Sequence, residues 1–215
     1  QPDIDPLLFQ TPDNRYCCWL AGTQTSGISQ EECSVKVKNE LSALKGGLTS
    51  ARFLFITLGT NVVYRHRELG VVVSNCHRMP QSVFSEETMS LDDCTEALSK
   101  TVDAVRSIND KIQIIFTVSP YRYAKYGYHG SQLAKSVLLL AADSVCKCYP
   151  QCCHYFPSYE IVLDELRDYR FYAEDMLQIR MMQKTSCRIH SSRYSGSSAV
   201  SNGRVPVRYI HGWPG

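Results

Sequence analysis

Polar side chains that could bind or activate a small substrate follow two apolar runs of this 215-residue chain. Gly59-Thr60-Asn61 comes directly after FLFITL, and Arg122 comes just after IQIIFTVSP. An arginine guanidinium can hold a carboxylate or phosphate of a substrate, although Arg122 could equally pair with an acid of the dense 160–175 segment. Glycine and asparagine also tolerate tight turns, so Gly59-Thr60-Asn61 could be purely structural.

Histidine is the side chain most suited to proton transfer at neutral pH. His77, beside Asn75 and Cys76, is the one that we place at the edge of a site, with a hydrogen-bonded structural role as the alternative. Cys76 and His77 are neighbours on an extended segment and should point to opposite faces, which argues against a thiol–imidazole pair. The remaining histidines that we weighed are expected to be structural: His66, His129 and His154.

Ten cysteines are a high number for a chain of this length. Zinc sites favour two C-x-x-C-type pairs separated by a loop, whereas Cys146-x-Cys148 ends a helical pattern and Cys152–Cys153 begins a strand-like run. We therefore expect free thiols that fill core and surface positions, with no metal and no cofactor.

Three helical patterns must position these candidate residues. Ser29 and Ser90 are expected N-cap residues, Gly46–Gly47 is expected to end the first helix, and Asn109–Asp110 the second. The predicted buried faces are Cys33, Val37, Leu41, Leu44 and Leu48 in the first helix, Cys94, Ala97, Leu98, Val102, Val105 and Ile108 in the second, and Leu133, Val137, Leu138, Ala141 and Val145 in the third.

Apolar runs between the helices predict strands at 53–58, 112–120 and 153–156, the first of them buried on both faces of a parallel sheet. The segment 63–76 has β-rich arms around a polar turn and predicts a hairpin. Helices alternating with buried strands indicate an α/β fold with a parallel sheet covered on both sides. Ligands of such sheets bind beyond the carboxyl ends of the strands, which is where Gly59-Thr60-Asn61 and Arg122 lie.

Charge divides the chain into two parts. All 21 acidic residues precede residue 176, whereas six of the 23 basic residues lie in 179–215. We predict an α/β domain over 1–178 and a basic, disordered, Ser/Arg/Gly-rich tail over 179–215 that is too sparse in basic residues for nucleic-acid binding. No apolar run reaches the about 18 residues of a membrane span, and no signal peptide is visible in QPDIDPLLFQ, which favours the cytoplasm.

Five segments carry a resemblance to a known family: LFITLGT (54–60), VVSNCHRMP (72–80), IIFTVSPYRY (114–123), LAKSVLLLA (133–141) and YFPSYEIVLDELRDYRFYAEDM (155–176). In this order they resemble the GSCFA family, whose members are similar to SGNH (GDSL-like) hydrolases. The resemblance implies a three-layer αβα fold with a mostly parallel sheet and a serine-hydrolase-like site at the strand ends. It also implies that the first strand is missing, because the amino-terminal GSCFA motif with its nucleophilic serine does not occur in this sequence.

The resemblance assigns catalytic roles to two residues. Gly59-Thr60-Asn61 corresponds to the G-x-N of the wider SGNH group, in which the asparagine amide helps to form an oxyanion hole. Asp175 corresponds to the aspartate of Asp-x-x-His-Pro-Ser, where it orients a histidine base. Gln178 stands in the place of that histidine, and an amide cannot accept the serine proton. We interpret the end of the resemblance at Leu177 as a frameshift or mis-spliced gene rather than an evolved exchange, with a genuine tail as the alternative.

These observations predict an SGNH-like hydrolase domain for an ester or acyl linkage of a small molecule or glycan. Gly59, Thr60, His77 and Arg122 would bind the substrate, and Asn61 and Asp175 would be catalytic. Because nucleophile and base are both missing, we expect this chain to be close to inactive. The alternatives are a non-catalytic relative that binds an acyl or sugar ligand, and an interaction protein that uses the basic tail. A missing central strand would also expose strand edges and predicts poor solubility.

Overall fold

A computed structural model of the chain describes residues 3–166 and Tyr172, and Asp175 and the predicted tail lie outside these residues. Short 3-10 turns connect several elements. The helices and strands are β1 (Leu8–Gln10), β2 (Tyr16–Cys18), α1 (Gln30–Ser50), β3 (Phe53–Leu58), β4 (Val62–His66), β5 (Val72–Val73), β6 (Phe84–Thr88), α2 (Leu91–Ile108), β7 (Gln113–Val118), α3 (Gly127–Cys148), β8 (Cys153–Tyr155) and α4 (Ser158–Glu160), which continues as a π-helical turn, Ile161–Glu165.

A parallel sheet of order β3-β7-β8 confirms the α/β class. Phe53 pairs with Gln113 and Leu58 with Val118, so β3 and β7 begin and end at the same level. The three predicted strand runs all form strands of this sheet. Parallel order places their carboxyl ends at one edge, where the loops after β3, β7 and β8 meet.

Helices α2 and α3 cover one face of this sheet. The alternate residues Ile114, Phe116 and Val118 of β7 are fully buried there, against Val102 of α2 and Ala141 of α3, among others. The opposite face is open across β3 in the described part of the chain, since Phe55 is 43% exposed. Within residues 3–166, β3 is an edge strand with a cover on one side only, so the prediction that FLFITL is buried on both faces does not hold in the described part of the chain.

The bounds of α2 follow its sequence signals. Ser90 Oγ accepts the Asp93 backbone N–H, and the Asp93 carboxylate accepts the Ser90 N–H, which completes a capping box. The helix ends at Ile108, as predicted from Asn109–Asp110. Among the helices that the structure describes, none combines the length and apolar character needed to cross a membrane.

Helix α1 extends beyond its predicted end. Ser29 caps it as expected, but the helix continues through Gly46–Gly47 to Ser50. The Asn109 side-chain amide explains the extension, because it donates to the carbonyls of Leu48 and Ala51, both at 2.9 Å. A helical glycine costs about 1 kcal/mol, which this external capping and the burial of Leu48 offset.

Two of the side chains predicted to be buried on α1 are exposed. Cys33 and Val37 pack with Ile4 and Cys18 in an amino-terminal cluster, whereas Leu48 packs against the parallel sheet. The helix therefore spans two separate cores, and Leu41 and Leu44 lie between them, exposed. Leu133 and Ala97 are also exposed, which shows that the predicted stripes on α2 and α3 were too wide.

An antiparallel sheet of order β5-β4-β6 follows the end of β3. Tyr64 pairs with Val73, which confirms the predicted hairpin at 63–76, and β6 adds a third strand that was not predicted. Beneath it, Trp19, Val73 and Phe84 form an aromatic cluster with Phe9, whose ring stacks on that of Trp19 at 3.6 Å.

Candidate active site

The loops after the three parallel strands converge at one edge. The Ser119 N–H donates to the Leu58 carbonyl at 2.8 Å, and the Phe156 N–H donates to the Phe116 carbonyl at 2.8 Å. Ser158 Oγ lies between Thr117 Oγ1 and the Val118 carbonyl, which it contacts at 2.9 Å. These contacts hold the loop after β8 against the end of β7, so a candidate site at this edge is assembled from separate parts of the chain.

Gly59 and Thr60 form the exit from β3. A Cβ atom on Gly59 would lie 2.7 Å from the Tyr123 hydroxyl oxygen, so any larger residue here would require the Tyr123 side chain to shift. Thr60 Oγ1 accepts the Val62 N–H at 3.2 Å and shapes the turn into β4. Gly59 therefore touches the loop after β7, whereas the Thr60 hydroxyl is engaged in its own turn.

Asn61 is buried at the base of α2. Its side-chain amide donates to the Met89 carbonyl at 2.8 Å, and the Met89 N–H donates to the Asn61 carbonyl at 2.8 Å. The residue is only 4% exposed. These two bonds fix the loop that precedes Ser90. Asn61 therefore has a structural role in this loop. The expected role of Asn61 in an oxyanion hole stays a prediction. The Met89 carbonyl takes one N–H of the side-chain amide, so the second N–H is the one that could serve this role.

Lys135 is a buried cation that the sequence reading did not select. It lies on α3, is 2% exposed, and its Nζ donates to the Gly59 carbonyl. Its Nζ also lies 5.4 Å from the centre of the Tyr123 ring. Burial disfavours the charged form and lowers the pKa of Lys135 to about 8. The sequence contained a signal, because Lys135 falls on the buried stripe of α3 with Leu138, Ala142 and Val145.

Arg122 lies in the loop after β7 and contacts two aromatic rings. Its guanidinium carbon lies 5.9 Å from the centre of the Tyr128 ring and 5.3 Å from that of Tyr172. Contacts of this kind orient a guanidinium without neutralising its charge. The sequence alternative, an ion pair with an acid of 160–175, is not formed with any acid in residues 160–166.

A cleft of about 390 Å³ brings the two cations together. Its floor includes Ser131 and Tyr159, both buried, and burial raises the pKa of the Tyr159 hydroxyl. Gln132 receives the Tyr159 hydroxyl hydrogen bond at 2.6 Å. The complete lining is Arg122, Tyr128, His129, Ser131, Gln132, Lys135 and Tyr159. Such a lining can bind a polar ligand through cationic groups, an amide and aromatic rings.

His77 lies in a different environment from the cleft. Its ring nitrogen Nε2 is 3.0 Å from the Cys18 carbonyl oxygen, and its ring packs edge-on against Phe9 and Trp19. Burial lowers the pKa of its imidazole, so the neutral form is favoured. These contacts are those of a structural histidine in the aromatic cluster. The structure does not place His77 in the lining of the cleft, and its substrate contact stays a prediction.

Nine of the cysteines fall within the described residues, and all nine are free thiols. Cys152 and Cys153 have sulfur atoms 3.8 Å apart, which is a contact and not a disulfide. Burial raises the pKa of the Cys33 and Cys146 thiols to about 11, which makes them unreactive near neutral pH. No group of three metal-binding side chains occurs in the part of the chain that the structure describes.

Comparison with known proteins identifies the family of the chain. No curated protein and no solved structure matches it. The sequence model of one family matches residues 4–187, which include every element above and extend past Leu177, where the resemblance was expected to end. Because this match spans most of the sequence, the chain belongs to the GSCFA family.

Proposed function

We propose that this chain is a hydrolase-like domain whose cleft binds a small acyl or glycan ester without turning it over at an appreciable rate. The observation that carries the proposal is the position of the cleft. It lies where the loops after the parallel strands converge, and its lining mixes cationic, amide and aromatic side chains. Sites of α/β proteins occur at this edge of the sheet, with a few polar groups that orient the ligand.

The finer fold expected from the resemblance is part of this proposal. An SGNH-like, three-layer arrangement would place a further strand beside β3 and helices over the face that carries Phe55. Two observations support it. The outer edge of β3 has no partner strand in residues 3–166, and that face of β3 is open in the same range.

The expected lack of turnover rests on the hydrogen bonds of the histidines. In the described part of the chain, no serine hydroxyl is hydrogen-bonded to a histidine ring. His66 accepts from the Leu69 N–H, His77 contacts the Cys18 carbonyl, and His154 contacts Gln113. A serine without a base is a poor nucleophile at neutral pH. Asp175 would orient a histidine if one were supplied, as the resemblance implies.

A fluorophosphonate activity probe tests the catalytic half of the proposal. The probe reacts with activated serines, so we expect the folded chain to remain unlabelled, and a GSCFA homologue with a complete motif to be labelled under the same conditions. Covalent labelling of the chain would contradict the expected inactivity. Peptide mapping and the Ser131→Ala variant would then show whether the buried serine of the cleft is the one that reacts.

Ligand-observed NMR with an acetylated monosaccharide tests the binding half. We expect saturable binding that weakens severalfold in Tyr128→Ala, because the 74% exposed Tyr128 ring lines the cleft and tolerates truncation. Leu140→Ala is the matched control, since Leu140 is exposed on the same helix outside the cleft. No binding, or equal weakening in both variants, would reject the cleft as the ligand site.

A further inference from the structure

Two cationic side chains line the cleft without a carboxylate partner in the described residues. The ion pairs of those residues join Lys36 to Glu32, Arg65 to Glu87, Lys100 to Glu96, Lys125 to Glu86 and Lys147 to Asp143. Neither Arg122 nor Lys135 takes part in one. The cleft therefore carries an excess of positive charge from its own lining.

Burial makes the charge of Lys135 costly. An ammonium group has three N–H donors, and within the described residues that of Lys135 meets one carbonyl, that of Gly59, and the face of one ring, that of Tyr123. A buried ammonium that lacks a counter-charge is destabilised by several kcal/mol or loses its proton. An anion in the cleft would supply the missing counter-charge.

Arg122 supplies a second set of donors on the loop opposite. Its guanidinium contacts the rings of Tyr128 and Tyr172, and it forms no hydrogen bond to any other described side chain. A guanidinium fork matches the paired oxygens of a carboxylate or phosphate. Contacts with two rings hold the group in place before a ligand arrives.

The amino-terminal turn of the 22-residue α3 adds to this field. Tyr128, His129 and Ser131 line the cleft, no side chain caps the helix, and the first turn contains no acid. The positive end of the helix dipole therefore faces this region without a neutralising group, and it favours anions. This feature supports the buried lysine and the oriented arginine but would not define a site alone.

We propose that Arg122 and Lys135 form an oxyanion site that binds the carboxylate or phosphate group of the ligand. The inference rests on the proposed function, because it names the chemical class of the ligand of the same cleft. An acyl or glycan ester that carries a carboxylate or phosphate group is the ligand that satisfies both the proposed function and the oxyanion site.

At and above about pH 8, proton uptake by Lys135 should accompany binding. Lys135 contacts the Gly59 carbonyl and the Tyr123 ring, and it shares the lining of the cleft with the titratable or charged residues Arg122, His129 and Tyr159, among others. None of these carries a carboxylate, and burial makes the amine lose its proton more easily than an exposed lysine does, because it lowers the pKa of Lys135 to about 8. A bound anion favours the charged amine, so affinity falls as the pH rises above about 8.

Isothermal titration calorimetry of the full chain with acetate or inorganic phosphate tests the site. At pH near 7 and low ionic strength we expect saturable binding of at least one ion, weakened about tenfold or more by Arg122→Gln and by Lys135→Met. Lys100→Gln removes the same charge from an exposed ion pair and should leave affinity unchanged. Thermal melts confirm that each variant is folded.

Acetate serves for the pH dependence, because its charge is constant from about pH 7 to 10 whereas that of phosphate is not. Affinity should fall severalfold over this range in the wild type and stay constant in Lys135→Met. The ion that binds more tightly identifies the group recognised.

Absence of binding by both ions, or an equal loss in Lys100→Gln, would overturn the inference. Binding of a neutral ester without either ion would reject the oxyanion site alone. Binding of the ions without the ester would reject the proposed function alone.

Discussion

Gly59 is held in its place by its neighbours. Its carbonyl accepts the Lys135 amine, and the space where a side chain would be is occupied by the Tyr123 hydroxyl. The same ring lies beneath the Lys135 amine. Three residues from three separate elements therefore fix one another's positions, and a change at any of them should be felt at the others.

Replacing Gly59 with alanine should destabilise the protein by about 1–3 kcal/mol, because the new methyl group must displace the Tyr123 ring. Tyr123→Phe in the same background should recover part of this loss, since it removes the atom 2.7 Å away. Chemical denaturation measures both. Gly46→Ala is the control, because a Cβ there meets nothing within 4 Å and should stabilise the helix by about 1 kcal/mol. Equal stability of Gly59→Ala and wild type would contradict the packing described.

Lys135 should make stability depend on pH. Its pKa in the folded state is about 8, below the ordinary value of 10.5, so the unfolded chain binds the proton more tightly. The lysine therefore contributes a destabilisation that is fully present below about pH 8 and disappears as the pH rises towards about 10.5.

Lys135→Met should consequently be more stable than the wild type near neutral pH, with a difference that shrinks between about pH 8 and 10.5. Urea denaturation of both proteins across this range measures the difference in the free energy of unfolding. The other titrating groups are the same in both proteins, so their contributions to the pH dependence cancel in this difference. Lys100→Met, at an exposed site, should show no such trend. A difference that grew with pH would show that Lys135 is not buried as a cation.

Sequence patterns identified some site residues and missed others for a physical reason. Gly59 and Arg122 were found because they follow strands, and position after a strand can be read from the chain. Lys135 was missed because a lysine in a helical run is usually solvated, and its burial depends on a partner 76 positions away in sequence. The place of Lys135 on the buried stripe of α3 can be read from the sequence, but its contact with Gly59 leaves no periodic signal.

Asn109 connects two helices and a strand. Its side-chain amide donates to the Leu48 and Ala51 carbonyls at the end of α1, and its side-chain oxygen accepts the Lys111 N–H at 3.1 Å. The last turn of α1 thus depends on a residue just beyond α2. This contact stabilises the junction that leads into β3.

Asn109→Ala should lower the free energy of unfolding by about 1–3 kcal/mol, because partly buried carbonyls at the end of α1 lose their donor. Urea denaturation measures the change, and circular dichroism should show a small loss of helix. Asp110→Ala is the control at the next, exposed position. If both variants lost the same stability, the amide would not be the cap of α1.

Elements defined by local signals were predicted well, whereas those defined by partners were not. The bounds of α2, for example, are set by Ser90 and Asn109, which lie directly beside the two ends of the helix in sequence. The end of α1, by contrast, depends on Asn109, and the exposure of Phe55 depends on which strands and helices lie beside β3. Strands β1, β2 and β6 are short or polar and carry little of the alternation that marks a strand.

At the scale of the molecule, residues 3–166 present an open strand edge and an apolar patch together on β3. Phe55 is half-exposed, with Phe53 beside it on the same face, and the outer edge of the strand has no partner in residues 3–166. Unprotected edges pair with other chains, and exposed apolar faces add affinity. The expected poor solubility therefore has a specific location.

Phe55→Lys should reduce concentration-dependent self-association, because a charge on an edge strand opposes pairing between copies. Size-exclusion chromatography with light scattering measures this. Leu140→Lys is the control, since it adds the same charge at an exposed apolar residue of α3. A monodisperse wild type over the whole concentration range would contradict the expectation.

The in-register pairing of β3 with β7 has a consequence for amide protection. In a parallel ladder the N–H groups of one strand alternate between its two sides. The Gln113 N–H donates to the Arg52 carbonyl, so the register turns the amides of Leu54, Ile56 and Leu58 inward and those of Phe53, Phe55 and Thr57 outward. Amide hydrogen exchange along β3 should therefore alternate, fast at the outward-facing amides and slow at the inward-facing ones. Slow exchange at every residue of β3 would show that another segment or molecule is hydrogen-bonded to its outer edge.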